Sequence, residues 1–296
     1  MFEHILGNEK NKNILEKSIK LNKISHSYIF WGIEGIGKKI IANEFAKRIL
    51  CLEKKDNCDC KSCIEIDSNN NPDFQLIQPN EGKVKIEQIR EMQRKVAEKP
   101  IISNKKVYII DNADTMTTEA QNCLLKTLEE PPEYILIILI CANEDNLLST
   151  IKSRCTRMHF ESINQDELKE YIRRNYHEQE ISDNIIRLSQ GSIGKAIKLN
   201  ENKNIYENIE KILLSMQNKD LIEIIQMSEE IYKTKEEINS ILDYMNVMLL
   251  KLSKQNIKYI RCIEIVEQTK KRLKANSNYD MCIDNLLFNM TFIIHN

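Results

Sequence analysis

The sequence predicts an α/β domain with a parallel sheet, followed by an all-helical C-terminal part. Strand and helix signals alternate as far as Phe160, and the strands are continuous apolar runs, which is typical of a parallel sheet covered by helices on both faces. A glycine-rich loop separates the first of these strands from a helix. After Phe160 the strand signals stop, and Leu, Ile and Met recur at helical intervals between charged residues.

The elements follow one another in a regular order. The first strand is predicted at Ser27–Trp31, and the helix after the glycine loop at Lys38–Leu50. Thr118 and Gln121 are spaced as in a capping box, which favours a helix that starts at Thr118 and stops at the following prolines. The remaining elements are strands at 73–78, 106–111, 134–142 and 156–160, helices at 86–98, 118–130, 164–175, 182–190 and 191–199, and a helical bundle from about residue 204.

The composition indicates a globular protein in the cytoplasm. The hydrophobic fraction is 42%, the charged fraction 29% and the formal net charge −1, so contact with nucleic acid needs a local patch rather than bulk charge. The first residues, MFEHILGNEKNK, lack the apolar core of a signal peptide. The longest apolar run, residues 134–142, is far shorter than the roughly 20 residues that span a bilayer. We therefore expect no membrane association.

The stretch WGIEGIGKKI resembles a phosphate-binding loop of the form G-x-x-x-x-G-K-[ST]. Gly32, Gly37 and Lys38 fit this form, and Gly35 lies within it, but Lys39 stands where a hydroxyl normally holds Mg²⁺. Between a strand and a helix, the loop would present backbone N–H groups and Lys38 to phosphates. The alternative is an ordinary glycine-rich turn. Whether ATP or ADP still binds is left open by these residues.

Asp111 ends the apolar strand KVYIID. In P-loop ATPases an acid at this place helps to hold Mg²⁺, and a following Glu commonly activates water. Here Asn112 follows, and an amide cannot serve as a carboxylate base. Asp111 could also be no more than a capping residue.

Four cysteines lie close together in the polar segment 51–63. Cys51, Cys58, Cys60 and Cys63 can surround one tetrahedral Zn²⁺, and four thiolates leave no open position for catalysis. The segment therefore predicts a structural zinc site, and buried structural cysteines are the alternative. The other cysteines have apolar neighbours and are predicted in the core: Cys123, Cys141, Cys155, Cys262 and Cys282. Arg154 is either a surface charge or an arginine finger that acts on a neighbouring subunit's phosphates, and its spacing leaves both open.

Longer motifs resemble the AAA+ subunits of the bacterial clamp loader. They are TTEAQNCLLKTLEEPP at 117–132, LLSTIKSRC at 147–155, GSIGKA at 191–196, the four-cysteine insertion, and NPD at 71–73, where Asn71 replaces a histidine. The similarity runs from residue 2 to about 199. It implies an AAA+ P-loop domain at 1–162 with a zinc module at 51–63, a small helical lid at 163–202 and an all-α collar at 203–296.

Within this family, a motor subunit hydrolyses ATP and a delta-prime type of subunit generally does not. Lys39 and Asn112 replace the Mg²⁺ hydroxyl and the base, and Gly194 stands where the motor commonly has a phosphate-sensing arginine, although Lys195 could partly substitute. Arg154 is intact. The resemblance therefore implies the delta-prime pattern, in which Arg154 helps a neighbour to hydrolyse ATP while this chain has no ATPase or polymerase activity.

The resemblance also implies a role in DNA replication. We expect a subunit of the DNA polymerase III holoenzyme that helps to load the sliding clamp onto primed DNA. Its partners would be motor and delta subunits in a pentameric ring, the sliding clamp and primer–template DNA. One alternative is an active AAA+ ATPase, either the motor subunit or another DNA-dependent protein. Another is a zinc-dependent nucleic-acid-binding module, which the near-zero charge and the lack of aromatic residues at 51–63 disfavour.

Overall fold

Two compact units make up the chain in a computed structural model that describes residues 1–2, 4–56, 58–175 and 181–295. The first unit comprises Met1–Asn164 and Ser192–Gly194, and the second comprises Gln165–Gly191 and Lys195–Asn296. In the described residues, no helix combines the length and the apolarity that crossing a membrane requires. The division of the C-terminal part into a lid and a collar stays a prediction.

A five-stranded parallel sheet forms the centre of the first unit. Its strands are β1 (Ser27–Trp31), β2 (Phe74–Ile77), β3 (Lys106–Ile110), β4 (Ile135–Cys141) and β5 (Thr156–His159). They lie in the order β2-β3-β4-β1-β5, and every neighbouring pair is parallel. Strands β3 and β4 are buried along their whole length, as helices on both faces require. The predicted parallel α/β sheet is therefore confirmed.

Helices cover the two faces of this sheet. They are α1 (Glu9–Lys20), α2 (Lys38–Leu50), α3 (Lys61–Asp67), α4 (Ile86–Val96), α5 (Thr118–Glu129) and α6 (Ser149–Lys152). Alternate strand residues point to opposite faces, so the core forms two clusters. One contains Phe30 from β1 and Phe45 from α2, and the other contains Tyr108 from β3 and Leu124 from α5.

The predicted capping box of α5 is wrong. The N-cap is Thr117, whose hydroxyl accepts a hydrogen bond from the backbone N–H of Ala120 at 3.2 Å. Thr118 is therefore already inside the helix. The Gln121 side chain turns inward instead, where its Nε2 donates to Asn146 O at 3.0 Å and its Oε1 accepts from the N–H of Leu148 at 2.8 Å. Gln121 thus ties α5 to the loop that leads into α6.

Every regular element in the described residues of the second unit is a helix, which confirms the predicted helical C-terminal part. A core of Ile212, Met245, Val266 and Leu286 lies between its helices. The helices are α7 (Gln165–Asn175), α8 (Asp183–Ser189), α9 (Ile193–Glu201), which begins in the first unit, α10 (Lys203–Ser215), α11 (Leu221–Met227), α12 (Glu229–Lys233), α13 (Ile238–Leu252), α14 (Lys258–Lys274) and α15 (Tyr279–His295).

Candidate nucleotide, metal and arginine sites

The glycine loop joins β1 to α2 at the carboxyl edge of the sheet, where parallel α/β sheets bind ligands. At Gly32 the backbone has φ 145°, and a Cβ there would lie 2.3 Å from the carbonyl oxygen of Phe160. Gly37 is the N-cap of α2 with φ 90°. Both positions therefore need glycine for backbone reasons. An ordinary turn does not require the close approach that Gly32 makes.

Most amides of this loop are unpaired. Within the described part of the chain, the backbone N–H groups of residues 33–35 and 37–40 donate to no protein acceptor, whereas that of Ile36 closes a turn and that of Ile41 donates to Gly37 O at 3.0 Å. Backbone donors are nearly always satisfied in folded proteins. A run of free donors at the N-terminus of a helix is suited to an anion such as phosphate.

Lys38 is buried behind the loop, where its side chain is 6% exposed. Its ammonium donates to the carbonyl of Gly32 and, at 2.7 Å, to that of Ile33. Burial lowers the pKa of Lys38 below its ordinary value, and the nearby carboxylates of Asp114 and Asp111 are among the groups that oppose this shift. The lysine that would meet phosphates is therefore present and held at the loop.

Lys39 lies against the predicted metal-binding acid. Its Nζ is 2.9 Å from Oδ2 of Asp111, the residue directly after β3. The Asp111 side chain is only 14% exposed, and its Oδ1 accepts a hydrogen bond from the N–H of Asn112 at 3.1 Å. An ammonium thus covers the oxygen that would hold Mg²⁺. Asn112 has φ 48° and presents an amide where hydrolysis would need a base.

Sequence reasoning missed Asp114, which lies at the same edge. Its Oδ2 accepts hydrogen bonds from the N–H groups of Ala142 and Asn143, both at 3.1 Å, directly after β4. Trp31 stacks on His159 beside the start of the loop, with ring centroids 4.0 Å apart. These residues could have been found from their positions, because polar and aromatic groups that end parallel strands meet at one edge.

Gly194 contacts the loop directly. Its N–H donates to Gly35 O at 3.0 Å, and a Cβ at position 194 would lie 3.2 Å from the Cα of Gly35. Because the nearest atom is backbone, an arginine at position 194 would require the loop to shift. The observed path of the loop at Gly35 therefore depends on glycine at position 194.

The four predicted zinc ligands come together. The Sγ atoms of Cys51, Cys58, Cys60 and Cys63 all lie within 4.8 Å of one another, and those of Cys51 and Cys60 are 4.0 Å apart. A tetrahedral site with Zn–S bonds of about 2.3 Å separates its sulfurs by about 3.8 Å. The donor set and its spacing therefore fit Zn²⁺. The pKa of the Cys60 thiol is lowered to about 6. Burial acts to raise this pKa, and the backbone hydrogen bonds that the sulfur accepts act to lower it.

A buried polar network holds this cysteine module against the sheet. Asn71 donates through Nδ2 to Ser62 O at 3.1 Å and to Ser62 Oγ at 3.0 Å, and its Oδ1 accepts from the N–H of Asp73 at 2.8 Å. The Asp73 carboxylate accepts three backbone N–H bonds, from Ile101 at 2.8 Å, Ile102 at 2.7 Å and Ser103 at 2.8 Å. The NPD motif thus has a structural role, in which asparagine satisfies the module's polar atoms.

The remaining cysteines divide into two groups. Cys141, Cys262 and Cys282 are buried, as predicted. Cys123 and Cys155 are only partly buried at the rim of a core cluster, so the prediction that they belong to the core holds less well. The Cys123 thiol donates to Gln93 Oε1 at 3.1 Å, and this polar partner explains its place at the rim.

Arg154 follows α6 and is partly exposed. Its Nη2 is 2.9 Å from Oε1 of Glu129, and its Nη1 donates to Thr150 O at 2.9 Å. The Ser27 hydroxyl donates to Arg154 O at 2.9 Å, which places the arginine beside the amino end of β1. Because β1 has five residues at about 3.3 Å each, roughly 16 Å separates this end from the glycine loop. Arg154 therefore lies at the opposite edge of the sheet from its own chain's loop.

The family is decided by residues 7–164. They match the sequence model of a family described as DNA polymerase III, delta subunit. The chain belongs to this family. The match covers the whole sheet, the cysteine cluster, the glycine loop and Arg154.

Known proteins of two kinds resemble the chain. It is 35% identical over 205 residues to DNA polymerase III subunit delta' of Bacillus subtilis, a match that covers 68% of this chain and 61% of that protein. It is 33% identical over 174 residues to DNA polymerase III subunit tau/gamma of Haemophilus influenzae, covering 58% of this chain and 25% of that protein. The aligned part thus spans less than two thirds of either relative.

A solved structure supports the fold. The DNA polymerase III gamma subunit-related protein of Thermotoga maritima has a TM-score of 0.51 and 19% identity, and the match covers 95% of this chain and 99% of that one. This likeness extends to both units and concerns the fold alone. The roles of individual site residues stay predictions.

Proposed function

We propose that this chain is a clamp-loader subunit of DNA polymerase III that hydrolyses no ATP itself and supplies Arg154 to the ATP of a neighbouring subunit. Membership of the delta subunit family and the likeness to a delta' subunit support the first part. The observation that carries the proposed absence of hydrolysis is the contact between Lys39 and Asp111, because the ammonium of Lys39 occupies the carboxylate that would bind the metal. Arg154, which the proposal assigns to the neighbour's ATP, lies at the other edge of the sheet, where it pairs with Glu129.

Hydrolysis needs a cation on the phosphates and a group that orients the attacking water. At the glycine loop the Mg²⁺-binding oxygen of Asp111 is paired with an ammonium, and the next residue is Asn112. Neither requirement is met by the residues at this edge. Binding of a nucleotide remains compatible with the free amides of residues 33–35 and 37–40.

Arg154 is suited to act on another subunit. Its guanidinium is partly exposed and is held by Glu129 and by Thr150 O, so it is ordered before any partner arrives. A planar fork of donors matches the oxygens of a transferred phosphoryl group. In well-studied GTPases such a finger contributes about 10³–10⁵ in rate. In a ring with several fingers, the loss of one has a smaller effect on total turnover.

The assembly is proposed on the same basis. The chain joins motor and delta subunits in a pentameric ring through a helical collar at 203–296, and the complex acts on the sliding clamp and primer–template DNA. The AAA+ domain at 1–162 and the lid at 163–202 form the rest of the chain. Cys51, Cys58, Cys60 and Cys63 would hold one Zn²⁺, which supplies folding free energy to the module at 51–63.

Two measurements test this function. Steady-state ATP hydrolysis by the purified chain is expected to be negligible. In a reconstituted complex, Arg154→Ala is expected to lower DNA- and clamp-stimulated ATP hydrolysis and clamp loading, whereas zinc content and assembly stay unchanged. Arg154→Lys should rescue little, because an ammonium lacks the planar fork.

Arg157→Ala is the matched control. Arg157 is a second exposed arginine three residues on, and it also pairs with a carboxylate, that of Glu144 at 3.4 Å. Complexes with Arg157→Ala should retain full activity. Unchanged loading with Arg154→Ala would exclude the finger, and ATP turnover by the isolated chain that Lys38→Ala abolishes would favour a motor subunit.

A further inference from the structure

We propose that the Lys39–Asp111 ion pair takes the place of a divalent cation, so that the glycine loop binds the phosphates of a nucleoside diphosphate without Mg²⁺. The inference rests on the proposed loss of hydrolysis at this loop and concerns what the loop can still bind. Three features of the loop carry it: the unpaired amides, the position of the ammonium and the balance of charge.

The unpaired amides show that the loop is built for an anion. The N–H groups of residues 33–35 and 37–40 have no acceptor within the described residues, although Lys38 is buried. A buried donor without an acceptor costs about 1–3 kcal/mol. A Cβ at position 32 would lie 2.3 Å from Phe160 O. Only glycine therefore allows this path of the loop. Phosphate oxygens supply the missing acceptors.

The ammonium of Lys39 lies where a cation would bridge protein and phosphate. Lys39 is the second residue of α2, so its side chain leaves from the turn that presents the amides. Its Nζ contacts Oδ2 of Asp111 at 2.9 Å. An ammonium has three donors, and no other protein acceptor contacts this one in the described part of the chain. The remaining donors can therefore meet phosphate oxygens, as Mg²⁺ does when it bridges them to a carboxylate.

The charge balance favours a diphosphate. A Mg²⁺ ion on the Asp111 carboxylate would leave one net positive charge, whereas the ion pair with Lys39 is neutral. Lys38, whose ammonium is held by the carbonyls of Gly32 and Ile33, is then the main positive charge at the loop. The site with the Lys39–Asp111 pair carries less positive charge than a site with Mg²⁺ would, so it attracts the charge of a triphosphate less strongly. This difference matters because electrostatic attraction is strong in a partly buried site. Nucleoside diphosphate, the less charged ligand, fits this balance better.

The chain contains its own reporter for the experiment. Trp31 is the only tryptophan, and it directly precedes the loop while stacking on His159. The full chain is titrated with ADP in EDTA and, separately, in excess Mg²⁺, with Trp31 fluorescence and calorimetry as readouts. We expect an affinity in EDTA at least equal to that in Mg²⁺. Lys38→Ala should abolish both signals, which locates the ligand at the loop.

Variants of Lys39 test the role of its ammonium. Lys39→Thr restores the hydroxyl of the phosphate-loop form, so it should weaken metal-free ADP binding at least tenfold and make binding depend on Mg²⁺. Lys39→Met should weaken metal-free binding equally without restoring a metal response. Lys47→Thr is the matched control, because Lys47 also lies on α2 and pairs with an aspartate, Asp67, at 2.7 Å, but lies away from the loop. It should bind like the unchanged chain.

The outcomes are distinct. Binding that requires Mg²⁺, no ADP binding at millimolar concentration, or identical metal response in the unchanged chain and Lys39→Thr would each overturn the inference. All three leave Arg154 and its action on a neighbour untouched. Hydrolysis of ATP by the isolated chain would instead overturn the proposed function, so the two failures can be told apart.

Discussion

The two edges of the parallel sheet differ in how their polar groups are satisfied. At the amino edge, three backbone N–H groups converge on the Asp73 carboxylate, and the Arg154 guanidinium is bound to Glu129 and Thr150 O. At the carboxyl edge, the amides of residues 33–35 and 37–40 have no acceptor within the described residues. Satisfied groups maintain a structure, whereas unpaired backbone donors mark a place for a ligand.

This difference separates stability from binding. The amino edge also holds the cysteine module through Asn71 and Ser62, so we expect its residues to dominate the stability of the first unit. Side chains at the carboxyl edge, such as Lys39 and Asp111, form a partly exposed ion pair of small energetic value. Their contribution should appear when a ligand binds. Four changes test this division, from the largest expected effect to the smallest.

Loss of the proposed zinc should have the largest effect. The purified chain should contain one Zn²⁺. Cys60→Ser should lower the zinc content and should also lower the free energy of unfolding by more than about 3 kcal/mol, because structural zinc contributes about 10–16 kcal/mol in zinc-finger peptides. Elemental analysis and urea unfolding measure this. Cys123→Ser is the control, because this thiol lies outside the cluster. Zinc-free protein of unchanged stability would refute the metal site.

Removal of the Asp73 carboxylate should follow. Asp73→Ala leaves three backbone donors without their acceptor and should lower the free energy of unfolding by about 2–4 kcal/mol. Urea unfolding followed by Trp31 fluorescence reports on the first unit. Asp67→Ala is the control, since Asp67 is an exposed partner of Lys47 and should cost less than about 1 kcal/mol. Equal effects of the two variants would remove the amino edge's special role.

A Cβ at Gly32 should disturb the carboxyl edge. Gly32→Ala combines a strained backbone with a contact of 2.3 Å to Phe160 O, and we expect a loss of about 2 kcal/mol or more. Gly82→Ala is a matched control, because Gly82 also has positive φ, at 78°, but a Cβ there meets nothing within 4 Å. It should cost about 1 kcal/mol. Thermal unfolding of both variants separates the two effects, because Gly82→Ala introduces backbone strain alone and Gly32→Ala introduces backbone strain and a steric clash.

Alkaline pH should produce the smallest effect. Burial raises the pKa of Cys141, at the end of β4, to about 12. Its unfolded pKa is lower, so the stability that its neutral thiol contributes is fully present below about pH 9 and is lost as the pH rises toward 12. Between pH 8 and pH 10 the unchanged chain should lose about 1–2 kcal/mol more than Cys141→Ala. Parallel pH profiles of the two proteins would contradict this.

Much of the site could be predicted from local patterns. The glycine loop lies between β1 and α2 because an apolar run, a glycine motif and a helical period follow one another within residues 27–50. The four cysteines meet because they are close in sequence. The predicted capping box failed because Thr117 rather than Thr118 is the N-cap, and the third helical residue is then Ala120, which has no side chain for the reciprocal hydrogen bond. Helices α1, α3 and α6 were not predicted: α3 and α6 have only seven and four residues, too few to show a helical period, and α1 buries a single apolar residue, Leu15.

The sequence by itself determined the fold class, the family and the two residues, Lys39 and Asn112, on which the proposed loss of hydrolysis rests, because these are local in the chain. Only the tertiary structure decided how the substituted side chains are used. The contact between Lys39 and Asp111 joins the first turn of α2 to the end of β3, and Phe160 O meets Gly32 where β5 and β1 end, so both join residues far apart in sequence. The distance of Arg154 from its own loop likewise follows from the pairing of β5 with β1. Long-range strand pairing sets these relations, and no local pattern encodes it.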